Sequence, residues 1–249
     1  MNKFFGNSKT NALLYPISAI KYLRNDKDSF HKKIIFRSAR FFFENKFDSE
    51  LWEKYYAEIL SKDYIPFNEK KEFAQLGGNR FNSLFSKWMY CALRHLKPEV
   101  VIETGVAHGY SSWLILNALN KNEYGKLYSI DLPNMDFTKG YQVNRISMQP
   151  GWVVPNELMS RWVLDLGDSK TLLPNLVNKL DRIDVFFHDS DHSYESMKFE
   201  FDCVLPKIKK QNGIIFSDDI YKSTAFDELV NKFDGKAVYF SKGGICKPD

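Results

Sequence analysis

The sequence contains few cysteines, and their positions exclude the common cysteine-based sites. Cys91, Cys203 and Cys246 are the only three in 249 residues, they lie far apart, and none belongs to a C-x-x-C pair. An odd number of widely spaced cysteines predicts neither a disulfide framework nor a zinc knuckle, and it favours a reducing compartment.

Long apolar runs are also missing. No uninterrupted apolar stretch reaches the ~18 residues that indicate a membrane-spanning helix. The first apolar cluster near the N-terminus is short and followed by charged residues, so no signal peptide is evident. We therefore expect a cytoplasmic protein.

Most of the chain lacks a basic stripe of the kind that binds nucleic acid. The net charge is +4, yet residues 1–50 alone hold ten Lys and Arg against five Asp and Glu. A near-neutral body argues against nucleic acid as a partner. The basic N-terminus is compatible with contact to a membrane surface or an anionic substrate, and equally with a solvated helical extension.

What the chain has in abundance is apolar material for a core: apolar residues make up 44% and aromatic residues 16%. Its length allows one full α/β domain with an appendage. From Val100 onward, strand patterns alternate with helical ones, which predicts a doubly wound, mostly parallel sheet with helices on both faces. We assign residues 76–249 to this domain and residues 1–75 to an N-terminal helical extension.

The extension contains an apolar stretch from Ile34 to Phe43 that basic residues border and interrupt. Such a stretch forms either a helix docked on the main domain, a contact with a second subunit of a homo-oligomer, or an amphipathic helix in peripheral contact with a membrane. The first 70 residues show no strand alternation, so we expect helices and irregular structure there.

The most informative stretch runs from Val100 to Ser112 and reads V-V-I-E-T-G-V-A-H-G-Y-S-S. It predicts a buried strand, a tight turn at Gly105 and Gly109, and a helix that starts near Tyr110 and Ser111. Such a turn presents backbone N–H groups and the positive end of a helix to a ligand. Glu103 would repel a phosphate and suits a ligand that carries hydroxyl and ammonium groups.

The G-x-G-x-x-G fingerprint of dinucleotide-binding proteins is absent, which speaks against a nicotinamide or nucleotide-sugar enzyme. The order E-x-G-x-x-x-G instead resembles motif I of class I S-adenosylmethionine-dependent methyltransferases. That resemblance implies a seven-stranded Rossmann-like sheet and S-adenosylmethionine as cofactor, held by Glu103, Gly105, Gly109, Tyr110 and Ser111. It also implies that Asp131 grips the ribose hydroxyls and that Asp168 lies at the adenine amino group; both acids could instead be helix N-caps or loop acids.

A second group of acids follows two later strands: Asp189 and Asp191 in F-H-D-S-D-H-S-Y-E, then Asp218 and Asp219 in I-I-F-S-D-D. If these strands are neighbours in a parallel sheet, the carboxylates converge and repel one another unless a cation neutralises them. An all-oxygen set favours Mg²⁺ or a similar hard divalent cation.

These runs resemble the metal-dependent O-methyltransferases of small molecules and sugars, over roughly residues 80–245. The resemblance implies that Asp189, Asp218 and Asp219 hold the metal, with Asp189 also beside the cofactor. A bound metal would lower the pKa of the acceptor hydroxyl, and a nearby base would take its proton. Asp191 is our first candidate for that base and His192 the second.

We therefore expect a Mg²⁺-dependent O-methyltransferase that acts on a sugar or another small polar metabolite. Two alternatives remain open: a metal-independent methyltransferase with His192 as base, and a catalytically silent binding or scaffold subunit of a glycan- or metabolite-modifying assembly. We expect the loop at 133–158, the segment at 77–85 and the N-terminal extension to shape the acceptor pocket.

Overall fold

The computed structural model describes residues 11–14, 27–61, 83–133, 149–210, 212–233 and 235–248. Strands and helices follow one another along the chain, with short 3-10 turns between some of them. The helices are α1 (Lys27–Phe43), α2 (Ser49–Leu60), α3 (Leu84–Leu96), α4 (Tyr110–Asn122), α5 (Ser169–Lys179), α6 (Tyr194–Lys210) and α7 (Ala225–Asn231). The strands are β1 (Asn11–Leu14), β2 (Val100–Thr104), β3 (Lys126–Asp131), β4 (Trp162–Leu166), β5 (Val185–His188), β6 (Ile214–Ser217), β7 (Lys236–Tyr239) and β8 (Gly244–Lys247).

All the described strands form one sheet in the order β1-β7-β8-β6-β5-β2-β3-β4. Every neighbouring pair is parallel except the two made by β8, which runs antiparallel to β6 and β7. The seven strands from β2 to β8 confirm the predicted Rossmann-like sheet. The eighth, β1, pairs in parallel with β7 and lies where the sequence predicted no strand, because four residues are too few to show alternation.

Helices cover both faces of the sheet, and successive strand residues point alternately into two apolar clusters. Val185 and Phe187 pack on the side of α1 to α4. Phe186, between them, packs on the side of α5, α6 and α7. This alternation explains why the central strands are apolar throughout, as expected for a parallel sheet that is buried on both faces.

The apolar stretch of α1 is buried against α2 and α3 of the same chain. Ile35 and Ala39 are fully buried, and Phe43 stacks on Trp88 of α3 with ring centroids 5.8 Å apart. The Trp88 Nε1–H donates to Ser38 Oγ at 2.9 Å, which satisfies two buried polar groups at this interface. Of the three fates predicted for this stretch, docking within the chain is the one observed; membrane contact of the basic N-terminus and homo-oligomer formation stay predictions.

In the part of the chain that the structure describes, no helix is both long and apolar enough to cross a bilayer. The predicted boundary between residues 75 and 76 lies outside the described residues. The helices on its N-terminal side, α1 and α2, share one apolar cluster with α3 and α4.

Candidate active site

The predicted site residues collect at the carboxyl edge of the sheet because the last residues of three neighbouring strands are in register. Thr104 of β2 lies beside His188 of β5, which in turn lies beside Ser217 of β6. The residues that follow these strands therefore start side by side: the Asp189 N–H donates to Thr104 O at 2.8 Å, and the Asp218 N–H donates to His188 O at 2.9 Å. Ligands of open α/β sheets bind at this edge.

The glycine turn after β2 is pressed against the loop after β5. Gly105 has φ +84°, and a Cβ there would lie 2.1 Å from the carbonyl oxygen of Asp189. Only glycine combines that backbone conformation with such a close approach. Gly109 has φ +95° and directly precedes α4, so Tyr110 and Ser111 stand at the positive end of the helix as the sequence predicted.

Glu103 is fully buried beneath this turn. Its Oε2 accepts hydrogen bonds from Ser112 Oγ at 2.6 Å and Ser129 Oγ at 2.7 Å. Its Oε1 is buried without a hydrogen-bond partner among the described residues. Burial raises the pKa of this carboxyl to about 7, against the opposing effect of the serine hydroxyls. An orphaned buried acceptor suits a ligand that brings a cationic donor, such as the ammonium of S-adenosylmethionine.

Asp131 ends β3 and braces the glycine turn. Its Oδ2 accepts the N–H groups of Val106 at 3.0 Å and Ala107 at 2.6 Å, and its Oδ1 accepts the N–H of Leu132 at 2.8 Å. A carboxylate has about four lone-pair sites, so these bonds leave room for a hydroxyl of the cofactor. The predicted ribose contact remains a prediction, and the observed role is to fix the turn.

Asp168 is the N-cap of α5, since its side chain accepts the N–H of Lys170 at 2.8 Å. This is the structural role that the sequence left open for it. A contact with the cofactor's adenine stays a prediction.

Trp152 is a neighbour of the glycine turn that the sequence did not single out. Its Nε1–H donates to His108 Nδ1 at 3.0 Å. The Gly151 N–H also donates to the carbonyl of Ala107 at 2.9 Å, which seats residues 150–154 on the turn. Pro150 and Pro155 marked this stretch as a loop, but no local pattern shows which part of the molecule a loop contacts.

The loop after β5 places His192 next to Asp189. The His192 Nε2 lies 3.6 Å from Asp189 Oδ1 and is covered by protein. The oxygens of Asp191 accept the Ser193 Oγ–H at 2.8 Å and the Ser193 N–H at 3.0 Å, just before α6. These bonds lower the pKa of Asp191, which weakens it as a base.

The acids after β6 have a protein cation beside them. Lys222 Nζ lies 2.6 Å from Asp219 Oδ2. Partial burial would raise the pKa of Asp219, but the ion pair with Lys222 outweighs it, and the pKa is lowered. The D-D-I-Y-K spacing contained this pairing as an i, i+3 contact, but the prediction counted only the acids.

The predicted metal ligands do not fit a metal ion in this arrangement. Across the described ranges, no group of three or more His, Cys, Asp or Glu side chains is placed to hold one. Lys222 pairs with Asp219, so part of the charge repulsion that motivated a metal at Asp189, Asp218 and Asp219 is relieved by a side chain of the chain itself. The Mg²⁺ site inferred from these acids is therefore not reproduced.

Of the segments expected to shape the acceptor pocket, residues 77–82 and 134–148 lie outside the described residues. The roles of these segments and of the N-terminal extension in that pocket stay predictions.

Comparison with known proteins places the described site inside a recognised domain. Residues 102–220 match a family model described as a methyltransferase domain. A search of curated protein sequences found no match.

Two solved structures share the fold. A methyltransferase from Geobacter sulfurreducens aligns with a TM-score of 0.51 at 18% identity, covering 81% of this chain and 96% of its own. A TDP-rhamnose 3′-O-methyltransferase of calicheamicin biosynthesis aligns with a TM-score of 0.50 at 14% identity, covering 80% and 93%. At these sequence identities the similarity shows a shared fold and nothing more.

Proposed function

We propose that this protein is a class I S-adenosylmethionine-dependent methyltransferase, since residues 102–220 match a methyltransferase-domain model, and that it methylates a hydroxyl of a sugar or another small polar metabolite. The observation that carries the proposal is the pairing of two groups at one sheet edge: the buried, unsatisfied Oε1 of Glu103 for the cofactor and His192 as a base for the acceptor.

The cofactor side depends on Glu103 and the glycine turn. The unpaired Oε1 of Glu103 would accept a hydrogen bond from the cofactor's ammonium group, and Gly105 keeps the turn free of a side chain. When bound, the cofactor supplies a methyl group on a positively charged sulfur. The residues described here orient that group and exclude water from the buried acid.

The acceptor side depends on His192. Its Nε2 faces Asp189 at 3.6 Å and is covered, so Nδ1 is the ring nitrogen that remains to take the acceptor's proton. As the new O–CH₃ bond forms and the S–CH₃ bond breaks, the O–H bond breaks and its proton moves to His192 Nδ1. The Asp189 carboxylate stabilises the imidazolium that results. A positioned base of this kind contributes a rate factor of about 10²–10⁴.

A sugar acceptor is the first class to test. The acids at the site edge would repel phosphate-rich polymers, whereas carboxylates and imidazoles readily accept hydrogen bonds from a polyol. The TDP-rhamnose 3′-O-methyltransferase that shares the fold acts on a sugar, which supports starting with nucleotide-linked and free sugars.

Calorimetric titration of the full chain with S-adenosylhomocysteine tests the cofactor site. We expect wild-type protein to bind and Glu103→Gln to bind at least tenfold more weakly, about 1.4 kcal/mol, because the neutral amide cannot pair with the ammonium. Glu99→Gln is the matched control, since Glu99 directly precedes the same strand and pairs with Arg182 away from the site. A folded wild-type sample that gives no binding heat would contradict the proposal.

Release of S-adenosylhomocysteine in the presence of a panel of sugars tests the base and the metal. We expect turnover to persist in EDTA and to fall by about 10²–10⁴ in His192→Asn, because the proton acceptor is lost. Turnover that disappears in EDTA and returns with Mg²⁺ would restore the metal-dependent mechanism that the sequence predicted.

A further inference from the structure

A buried carboxylate, Glu200 of α6, lies directly beneath the candidate active site. It is fully buried and accepts hydrogen bonds from Thr104 Oγ1 at 2.6 Å and Ser190 Oγ at 2.8 Å. Its Oε2 lies 2.7 Å from His188 Nδ1. Thr104 and His188 are the last residues of β2 and β5, so this network joins two central strands to α6 at the site edge.

The network fixes which nitrogen of His188 carries a hydrogen. Burial would raise the pKa of Glu200, but the hydrogen bond from His188 and those from the hydroxyls outweigh it, and the pKa is lowered. Glu200 is therefore a carboxylate, which only accepts hydrogen bonds. The Nδ1 of His188 must be the donor, in either charge state of the ring.

Packing alone does not explain why a histidine, with a second ring nitrogen, occupies position 188. Its Nε2 is buried without a hydrogen-bond partner within the described part of the chain. Leaving a buried polar atom unpaired is costly, and an apolar residue would avoid that cost, as Phe186 does two positions earlier on the same face. A purely structural role would favour such a residue at position 188.

His188 contacts the proposed base. The rings of His188 and His192 are 5.3 Å apart between centroids and inclined by 80°. The His192 Nε2 is buried without a hydrogen-bond partner among the described residues, since Asp189 Oδ1 is 3.6 Å away, which is too long for a hydrogen bond. The ring of His188 is therefore a packing contact through which the orientation of His192 can be fixed.

We propose that Glu200 and His188 form a positioning pair that holds His192 in the orientation in which its Nδ1 takes the acceptor's proton. This inference rests on the proposed function of His192. When His192 gains the proton it becomes positive, and the buried negative charge of Glu200 lies behind His188, where attraction is stronger than in water. Glu200 acts through His188 and does not itself touch the acceptor.

Nuclear magnetic resonance of the full chain with ¹⁵N-labelled histidine tests the pair without any acceptor. We expect His188 to show the Nδ1–H form in wild-type protein. In Glu200→Gln, whose amide can also donate, we expect this form to change and the His192 signals to shift. Asp202→Asn is the matched control on α6, because Asp202 is exposed and pairs with Lys198. A wild-type His188 in the Nε2–H form, or His192 signals unchanged in Glu200→Gln, would overturn the inference.

A second variant guards against misfolding of Glu200→Gln and separates positioning from stability. His188→Phe removes both ring nitrogens and keeps a ring, while Thr104 and Ser190 still donate to Glu200. For the folded variant we expect affinity for S-adenosylhomocysteine to stay within twofold and kcat to fall about 10- to 100-fold. An unchanged kcat in folded His188→Phe would overturn the inference. Absence of S-adenosylhomocysteine binding to wild-type protein would instead contradict the proposed function, and the histidine signals would still report on the pair.

Discussion

At the scale of single residues, the protonation of two buried acids at the site is set by their surroundings. Glu103 and Glu200 are both fully buried carboxyl groups. Burial dominates for Glu103, whose pKa rises to about 7. Hydrogen bonds from His188 and neighbouring hydroxyls dominate for Glu200, whose pKa is lowered. The protonation of Glu103 and that of Glu200, which lie on opposite faces of the sheet at β2 and β5, therefore depend differently on pH.

The shifted pKa of Glu103 predicts a pH dependence of stability. Between pH 4.5, the ordinary pKa of a glutamic acid, and about pH 7, Glu103 is protonated in the folded protein and has lost its proton in the unfolded chain. Its contribution to the free energy of unfolding therefore falls as pH rises through this window, by on the order of 3 kcal/mol. Urea unfolding at several pH values should show this loss in wild-type protein and a smaller loss in Glu103→Gln. Equal pH slopes in the two proteins would contradict the prediction.

At the scale of elements, α1 is part of the core and not an independent appendage. Its apolar residues share one cluster with α3 and α4, and Lys87 of α3, itself almost fully buried, pairs with Asp28 of α1 at 2.7 Å. The helix that the sequence assigned to an extension thus covers one face of the sheet. Its loss would expose Trp88 and its neighbours.

Truncation of one α1 side chain measures this coupling. We expect Ile35→Ala to lower the free energy of unfolding of the whole chain by about 2–5 kcal/mol, because Ile35 is fully buried. Leu51→Ala on α2 is the control, since Leu51 is 42% exposed and surface substitutions change stability by about 0.5 kcal/mol or less. A small effect of Ile35→Ala in chemical denaturation would show that α1 folds apart from the domain.

At the scale of the whole molecule, the sequence predicted the seven-stranded sheet from β2 to β8 and the edge at which the candidate site residues collect, but it did not predict β1. Strand patterns followed by helices give a parallel sheet, and the acids at 103, 131, 189 and 218 lie at or just after the ends of strands that meet at one edge. The contacts between side chains could not be predicted in this way. Glu200 reaches Thr104 across 96 positions, and no local periodicity encodes such a distance.

The same limit explains the metal prediction. Four acids were read as a cluster of like charges, whereas Lys222 lies among them and pairs with Asp219. Net charge at a sheet edge is decided by all the side chains that the loops bring there. Counting residues of one type at strand ends leaves out cations of the chain itself such as Lys222, and the predicted dependence on Mg²⁺ is not shown.

The pairing of β1 with β7 has a consequence for handling the protein. β7 lies next to the end of the sheet, and β1 covers its outer hydrogen-bonding groups. A variant lacking residues 1–14 would leave β7 as a bare edge strand, which is a template for pairing with other chains. We expect that variant to self-associate with rising concentration in light-scattering measurements, relative to the full chain. The first strand would then protect the edge of the sheet against aggregation.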